Sequence, residues 1–273
     1  MQWPQSGWVA AGFLTLFGAS GCITGHPAIA HSFASTPRAI SELRRGWADA
    51  VLGDYPVMAY MARESTGGTL EVVREQFEPS PFGIGVSKRA PQLRAAISDA
   101  LRKIMADGTY MNILRQWAIH IGRMDPPALV GPVPAPSDVP QLKDGKLQVG
   151  MELKFAPMEF YDEFKHQAGA DLQLAQALGK ALGVPVEVVE LDFDSLLPAL
   201  DDGRVDVVVS AMTITPERSA RADFVPYLMT GTGLLVKAGN PAKIRRLRDL
   251  CGRTVALQEG TAQLELVRSI KCD

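Results

Sequence analysis

A short pattern of leucine, glycine and aspartate occurs twice in this chain, and it constrains the possible folds more than any other feature. The two copies have identical spacing: Leu43-x-x-Gly46-x-x-Asp49-x-Val51 and Leu200-x-x-Gly203-x-x-Asp206-x-Val208. In each copy a helical run ends at the glycine, and an apolar strand follows at once. A helix–strand unit that is built twice predicts an α/β fold with two similar lobes and doubly wound parallel sheets.

The two strands of the repeat lead to side chains of opposite charge. The first strand delivers Asp54, and the second runs into Ser210–Arg218. Within that segment, Thr215 and Pro216 are typical of a helix start, whose free N–H groups attract carboxylates. The guanidinium of Arg218 can add a bidentate contact. An acid from one lobe and a base from the other predict that a small zwitterion binds between the lobes.

Each of these charged residues has a simpler explanation when it is taken alone. Arg218 could form an ion pair with Asp223 at a helix start, and Asp54 could cap a turn. Their matching positions in a repeated unit favour a shared site, because burying a zwitterion requires both charged partners.

The composition narrows the classes of function. Of 273 residues, 47% are hydrophobic and 21% are charged, which is typical of a soluble globular protein with a full core. The formal net charge of −2 argues against nucleic-acid binding. The four histidines and three cysteines have no metal-ligand spacing, and no nucleophile or histidine–carboxylate motif indicates catalysis. We therefore predict no metal, no cofactor and no enzymatic activity.

Residues 1–27 resemble a leader. Trp8–Phe17 is an apolar run of signal-peptide length, and Ala19–Cys22 is similar to a lipoprotein cleavage site with Cys22 as the acylated residue. No lysine or arginine precedes Arg38, however, so the usual positive region is missing. Export through this segment and a start without a targeting role both stay open.

The three cysteines fit an exported protein with a single disulfide. Cys251 and Cys272 bracket a predicted strand, Thr254–Gln258, and a predicted helix, Thr261–Ile270. Because a strand–helix hairpin brings its ends together, we predict that these two cysteines are bonded. Two buried, reduced thiols are the alternative.

A proline-rich segment divides the chain. Six prolines within residues 125–140 predict an extended, fairly stiff tether without regular structure. A new series of alternating strands and helices starts after it, at Leu147. Gly83–Lys88 and Gly233–Lys237 are similar strands followed by polar breaks, and we predict that they cross between the lobes as a pair.

Residues 145–273 resemble a known family, the type II periplasmic solute-binding proteins of amino-acid ABC importers (extracellular solute-binding protein family 3). This resemblance rests on Leu147–Phe160, Gly169–Ala175, Phe193–Leu200, Gly203–Arg218, Asp223–Tyr227 and Val255–Thr261. Residues 28–118 resemble the second half of the same family. The segments that carry this likeness are Gly46–Pro56, Pro81–Val86 and Asp107–Trp117. The halves therefore stand in circularly permuted order, and the fold implied has two lobes joined by hinge strands.

The resemblance assigns the chain to six segments. Residues 147–236 form lobe 1, and residues 83–118 form the crossover and closing helix that return to it. Lobe 2 consists of residues 28–82, from the C-terminal half of the family, and residues 237–273. The leader is 1–27 and the proline-rich linker is 119–146.

The resemblance also implies roles for individual residues. Arg218 would bind an α-carboxylate with help from Thr213 and the backbone of Ala211, and Asp54 would bind the α-ammonium. Thr261 would supply the second lobe's contact to the carboxylate, since Ala262 stands where the family often has a hydroxyl. The side chain of the ligand would lie between the aromatic residues Phe155 and Phe193. Glu152 would be the acid that meets a polar or cationic group on that side chain.

The function implied is capture of a polar or cationic amino acid by hinge closure, for delivery to the membrane subunits of an ABC transporter. The protein would be a monomer in the periplasm or anchored outside the cytoplasmic membrane. Two alternatives stay open. The chain could be a fragment of a tandem receptor pair with an incomplete site, or a dehydratase-like enzyme or sensor module on the same fold.

Overall fold

The computed structural model describes residues 25–119, 124–128 and 131–272. Most of the leader, including Trp8–Phe17 and Cys22, lies outside these ranges. Among the described residues, no helix has the length and apolar character needed to cross a membrane.

Before the proline-rich segment, the chain forms four strands and four helices within the described residues. The strands are Ile29–Phe33 (β1), Ala50–Asp54 (β2), Leu70–Val72 (β3) and Phe77–Ser87 (β4), and the helices are Thr36–Arg45 (α1), Tyr55–Arg63 (α2), Pro91–Ala106 (α3) and Thr109–Gln116 (α4).

After the proline-rich segment, the described chain forms eight strands and four helices. The strands are Leu147–Met151 (β5), Lys154–Phe155 (β6), Glu159–Tyr161 (β7), Gln167–Ala168 (β8), Val186–Glu190 (β9), Val207–Val208 (β10), Ala222–Lys237 (β11) and Thr254–Gln258 (β12). The helices are Ala170–Leu182 (α5), Leu196–Asp201 (α6), Pro216–Arg221 (α7) and Ala262–Ser269 (α8).

The main sheet has the order β1-β12-β2-β11-β4-β10-β5-β9, with β3 also paired to β11. The pairs at both flanks are parallel: β1–β12, β12–β2, β10–β5 and β5–β9. The long strands β4 and β11 pair antiparallel at the centre. The α/β prediction is confirmed, but the sheet is mixed, because the two central strands run in opposite directions across the whole molecule.

Strands from the two ends of the chain alternate in this sheet. β12 lies between β1 and β2, with Val255 in register with both Ala30 and Ala50. At the other flank, Val207 of β10 pairs with Val86 and Val149. The parts of the chain on either side of the proline-rich segment therefore form one continuous sheet.

The central pair contains the two predicted crossover strands. β4 and β11 pair along their length, from Ser87 opposite Ala222 to Phe77 opposite Thr232. The register shifts twice within this stretch. Both strands extend well beyond the predicted Gly83–Lys88 and Gly233–Lys237, since each continues through a proline that breaks the alternating pattern in the sequence.

Both copies of the repeat end a helix with glycine in the left-handed conformation, at φ 85° for Gly46 and 72° for Gly203. The aspartate three residues later makes the same pair of bonds in each copy. Asp49 donates its backbone N–H to the carbonyl of Thr254 (2.8 Å) and accepts the Thr254 N–H on its carboxylate (2.9 Å). Asp206 does the same with Gln148, at 2.9 and 2.8 Å. The repeated aspartate thus sets the register of the neighbouring parallel strand.

The proline-rich segment is not a free tether. The Ser98 hydroxyl donates to the carbonyl of Ala128 (3.3 Å), and Arg102 donates to the carbonyl of Pro127 (3.1 Å), so the segment is attached to α3. It also contains two short 3-10 turns, Pro136–Asp138 and Pro140–Leu142, where no regular structure was predicted. Proline is compatible with the first position of such turns.

A disulfide joins Cys251 to Cys272, with 5.6 Å between their Cα atoms. It connects the loop before β12 to the chain that follows α8. The same loop also holds the start of the described chain, because the Gly252 N–H donates a hydrogen bond to the carbonyl of His26 (2.9 Å).

Candidate functional site

A small cavity lies between the two flanks of the sheet, where the parallel strands end. All eight residues predicted to bind a ligand line this cavity. Three further residues, none of them predicted as a contact, complete the wall: Gln258, Ala262 and Gln263.

The topology explains why these residues meet. Asp54 is the last residue of β2, Gln258 is the last residue of β12, and Glu152 directly follows β5. β2 and β12 run parallel, so Asp54 and Gln258 lie at the same end of one flank. β5 runs in the opposite direction in the other flank, because three antiparallel pairs separate it from β2. The carboxyl ends of the two flanks therefore face each other, and the cavity lies between them. These residues are far apart in the sequence but close together in the folded protein.

Arg218 has the local structure that was predicted for it. The Thr215 hydroxyl caps α7 by accepting the N–H of Arg218 (3.2 Å), and Pro216 occupies the first turn. The guanidinium donates to the carbonyls of Thr213 (2.7 Å) and Gly260 (3.0 Å), and its carbon lies 5.2 Å from the centre of the Phe193 ring. Arg218 therefore connects the two sides of the cavity.

The simpler explanation for Arg218, an ion pair with Asp223, is wrong. Asp223 pairs instead with Arg94 at 2.8 Å and Lys88 at 3.5 Å. Burial lowers the pKa of Arg218, and the charge of Asp54 opposes that shift. The guanidinium is still the cationic group of the cavity.

Asp54 is a buried acid, 7% exposed, and its carboxylate makes no cap bond to α2. One oxygen accepts a hydrogen bond from the amide of Gln263 (3.0 Å). Burial raises the pKa of Asp54 to about 7, while the bond from Gln263 and the charge of Arg218 act in the opposite direction. A cation placed beside a carboxyl group with this pKa stabilises the ionised form and lowers the pKa.

Glu152 is the second acid of the cavity and is 2% exposed. Its Oε2 accepts a hydrogen bond from the Gln258 amide (2.8 Å), and Oε1 has no partner among the described residues. Burial raises the pKa of Glu152 to about 7, and the Gln258 bond and the charge of Lys154 oppose this shift. A buried carboxylate oxygen without a partner is costly unless a donor reaches it.

Two of the expected donors are already engaged. The N–H of Ala211 donates to Asp171 (2.6 Å) behind the cavity wall, and Ala211 has a positive φ of 42°. The hydroxyl of Thr261 donates to the carbonyl of Gln258 (2.7 Å). Both residues line the cavity, but neither group is directed at a ligand in the way that the resemblance implies.

A layer of buried polar groups supports the cavity from behind, and the sequence reasoning missed it. Asp171 accepts the Tyr227 hydroxyl (2.7 Å) as well as the Ala211 N–H. Ser210 donates to Glu159 (2.6 Å) and accepts the N–H of Glu152 (3.0 Å). Burial raises the pKa of Asp171 to about 6 and that of Glu159 well above its usual range. These bonds fix the backbone on which Glu152 and Ala211 lie.

The cavity adjoins a wider groove between α7 and α8. Phe193, Arg218 and Thr261 line both spaces, so Arg218 stands at the boundary between them. No group of histidine, cysteine and acidic residues in the described ranges could hold a metal ion.

Part of this chain matches a known protein family, and that part contains most of the residues that line the cavity. Residues 147–268 match the model of the bacterial extracellular solute-binding proteins, family 3. This range contains seven of the eight predicted contacts, and Asp54 lies outside it.

Curated proteins match a stretch of this chain of similar length. The arginine-binding extracellular protein ArtP of Bacillus subtilis (strain 168) is 40% identical over 120 residues, which are 44% of this chain and 46% of that protein. The L-cystine-binding protein TcyJ of Escherichia coli (strain K12) is 37% identical over 125 residues, 45% of this chain and 47% of that protein. The chain thus spans about half the length of the curated relatives it matches.

A solved structure of an ancestral amino acid-binding protein, described as a precursor of cyclohexadienyl dehydratase, is 46% identical. The match covers 29% of this chain and 35% of that one, with a TM-score of 0.28. Domain 1 of an arginine-binding protein, in its arginine-bound form, is 30% identical, with 33% of this chain and 86% of that one covered and a TM-score of 0.30.

Proposed function

We propose, from the premise that residues 147–268 belong to the bacterial extracellular solute-binding proteins of family 3, that the whole chain is a receptor for an amino acid. The observation that carries this proposal is the position of Asp54. It comes from outside the matched range, yet it lines the same cavity as Arg218 and Glu152. An amino acid needs both an acid and a base, and the two halves of this chain supply them together.

The receptor is proposed to be one circularly permuted unit. Support comes from the sheet, in which β12 lies between β1 and β2 and β10 lies between β4 and β5. Each lobe then consists of strands from both ends of the chain, with β4 and β11 as the connection between lobes. A fragment of a tandem receptor pair is not expected to carry every strand of such a sheet once.

We assign each group of an amino acid to residues that line the cavity. The guanidinium of Arg218 binds the α-carboxylate, together with the N–H groups at the start of α8. The α-ammonium binds Asp54, which is held by Gln263. The side chain extends between Phe155 and Phe193 toward Glu152. Support for Arg218 in this role is its burial beside Asp54, whose opposite charge acts on its pKa.

A polar or cationic side chain is favoured because Glu152 offers an oxygen without a partner among the described residues. The names of relatives are consistent with such a ligand: besides those named for arginine and cystine, one of Campylobacter jejuni is a probable histidine-binding protein, 35% identical over 126 residues.

By analogy with such relatives, the receptor acts outside the cytoplasm and passes its ligand to the membrane subunits of an ABC transporter. Hinge closure would proceed through β4 and β11, the strands shared by both lobes.

Calorimetry with a panel of L-amino acids tests the receptor function. We expect one ligand per chain and a dissociation constant in the micromolar range or below, with arginine, histidine and cystine as the first candidates. The purified protein should be a monomer that unfolds in one transition, and the ligand should raise its melting temperature. Independent melting of two parts, neither shifted by any amino acid, would instead indicate unmatched halves.

A dehydratase-like reaction is the second candidate, and one observation favours it. Burial raises the pKa of Glu152 to about 7, which suits a general acid at neutral pH, and Glu152 lines the same cavity as Arg218. Incubation with prephenate decides between the two functions. Turnover that Glu152→Gln abolishes would establish an enzyme, and absence of turnover by a protein that binds amino acids would exclude this reaction.

A further inference from the structure

Gln258 joins three distant parts of the chain at the back of the cavity. Its Oε1 accepts hydrogen bonds from the backbone N–H of Thr36 (3.1 Å) and from the Thr36 hydroxyl (2.8 Å). Its Nε2 donates to Oε2 of Glu152 (2.8 Å). All three residues are buried, with at most 4% of each exposed.

The Thr36 backbone fixes the direction of the Gln258 amide. A backbone N–H can only donate, so the atom that faces Thr36 must be the oxygen of the amide. The amide nitrogen therefore points at Glu152, where it donates to the carboxylate. Reversing the amide would place two donors against each other and its oxygen against a carboxylate.

Helix α1 reinforces this arrangement. Ser35 precedes the ten-residue helix but makes no side-chain cap bond. An N–H of the first turn is instead bonded to Gln258, which places the amide at the positive end of the helix. Polarisation along the chain of bonds strengthens the donor that Gln258 presents to Glu152.

Glu152 is left with one oxygen for a ligand. Oε2 is occupied by Gln258, and Oε1 has no partner among the described residues while the residue lines the cavity. The bond from Gln258 favours the ionised form of Glu152, whose free oxygen is best matched by a positively charged donor.

We propose that Gln258, oriented by Thr36, is a positioning residue that makes the cavity select amino acids with a cationic side chain over their neutral isosteres. The proposal rests on the receptor function proposed above. Thr36 lies outside the cavity wall, so the structure assigns a part in ligand selection to a residue that touches no ligand.

Other charged groups also act on Glu152. The charge of Lys154 favours ionised Glu152, whereas Asp192 and Asp194 oppose it. Glu159 lies behind it and is affected by its charge. Gln258 lines the cavity and Thr36 does not, so a substitution of Thr36 tests the orientation of Gln258 without removing a residue of the wall.

Calorimetry with L-arginine and L-citrulline measures the selection, because the two ligands have nearly the same shape and differ in charge. In Gln258→Leu, we expect the affinity for arginine to fall about tenfold and the affinity for citrulline to change much less. Thr36→Val, which removes the hydroxyl and keeps the shape, should shift the ratio in the same direction by a smaller factor.

Gln263→Leu is the matched control, since Gln263 holds the other acid, Asp54. It should weaken arginine and citrulline by the same factor and leave their ratio unchanged. Equal losses for both ligands in Gln258→Leu would overturn the proposal, because Gln258 would then only support the fold. The melting temperature of each variant shows that the binding values refer to folded protein.

A titration without ligand separates this proposal from the receptor function. Carbon NMR of labelled Glu152 should show a higher pKa in Gln258→Leu than in the parent, because a bond to the ionised form is lost. An unchanged pKa of Glu152 would show that Gln258 does not act on its carboxylate, and the proposal would be overturned. If the parent protein binds no amino acid, the receptor function fails, and the titration still decides whether Gln258 controls Glu152.

Discussion

The two copies of the repeat are alike where they build the fold and different where they face the cavity. Asp49 and Asp206 make the same two bonds to the neighbouring parallel strand. Beyond these aspartates the copies diverge, because the first strand ends at the acid Asp54 and the second leads to the capped helix that carries Arg218. The shared part of a repeat therefore indicates architecture, and the point of divergence indicates where the ligand contacts lie.

The largest expected effect is at the end of the second copy. Arg218→Ala should weaken binding of L-arginine about a hundredfold, since the α-carboxylate loses its charged partner in a buried site. Calorimetry measures the loss. Arg221→Ala on the same helix is the control, because Arg221 pairs with Asp201 at the surface, and it should stay within twofold of the parent. A loss below twofold in Arg218→Ala would make the site assignment wrong.

The end of the first copy should give the next effect. Asp54→Asn keeps the shape but removes the charge that is proposed to bind the α-ammonium, so we expect affinity to fall about tenfold or more. The same calorimetric series measures it, with Asp49→Asn as a control acid in the same strand unit. An unchanged affinity in Asp54→Asn would mean that the N-terminal half takes no part in binding.

The shared aspartates should affect stability instead of binding. Asp49→Ala and Asp206→Ala should each lower the free energy of unfolding by about 1–2 kcal/mol, because a backbone N–H in the sheet loses its charged acceptor. Urea denaturation measures both, and affinity should stay within twofold. If only one substitution is destabilising, the equivalence of the two copies is disproved.

The smallest effect concerns pH. Burial raises the pKa of Asp54 and of Glu152 to about 7, above the values of an unfolded chain. These acids therefore stabilise the ligand-free fold most at low pH, and that contribution is lost as pH rises through about 7. Affinity for a cationic ligand should move the opposite way, rising several-fold between pH 6 and pH 8.

Calorimetry in two buffers of different ionisation enthalpy would detect the proton release that accompanies this binding at pH 7. The double variant Asp54→Asn, Glu152→Gln should remove most of the release. Proton uptake on binding would contradict the assignment of both acids to cationic groups.

The features that could be predicted from the sequence are those set by local rules. The start of α7 at Thr215 and Pro216, the end of α1 at Gly46 and the break between α3 and α4 all follow from capping and turn preferences. The α/β class follows from the alternation of elements. Each of these signals depends on residues that are neighbours in the chain.

What the sequence reasoning missed depends on contacts between distant residues. Gln258 and Gln263 look like ordinary strand-end and first-turn residues, and only their distant partners, Thr36 and Asp54, show what they hold. Asp171 lies in a recognisable motif, but its bond to Ala211 needs the folded structure to be seen. The full lengths of β4 and β11 were missed because each strand contains proline.

The proline-rich segment has a mechanical consequence for a hinged receptor. The segment follows α4 and leads into β5, and hydrogen bonds attach it to α3. Helices α3 and α4 pack on α5, so both ends of the segment and its attachments belong to the same lobe. In the proposed receptor, opening or closing the lobes would therefore neither stretch nor slacken the segment. The connection between the two halves of the chain would move as part of one lobe, and β4 and β11 would carry the hinge motion.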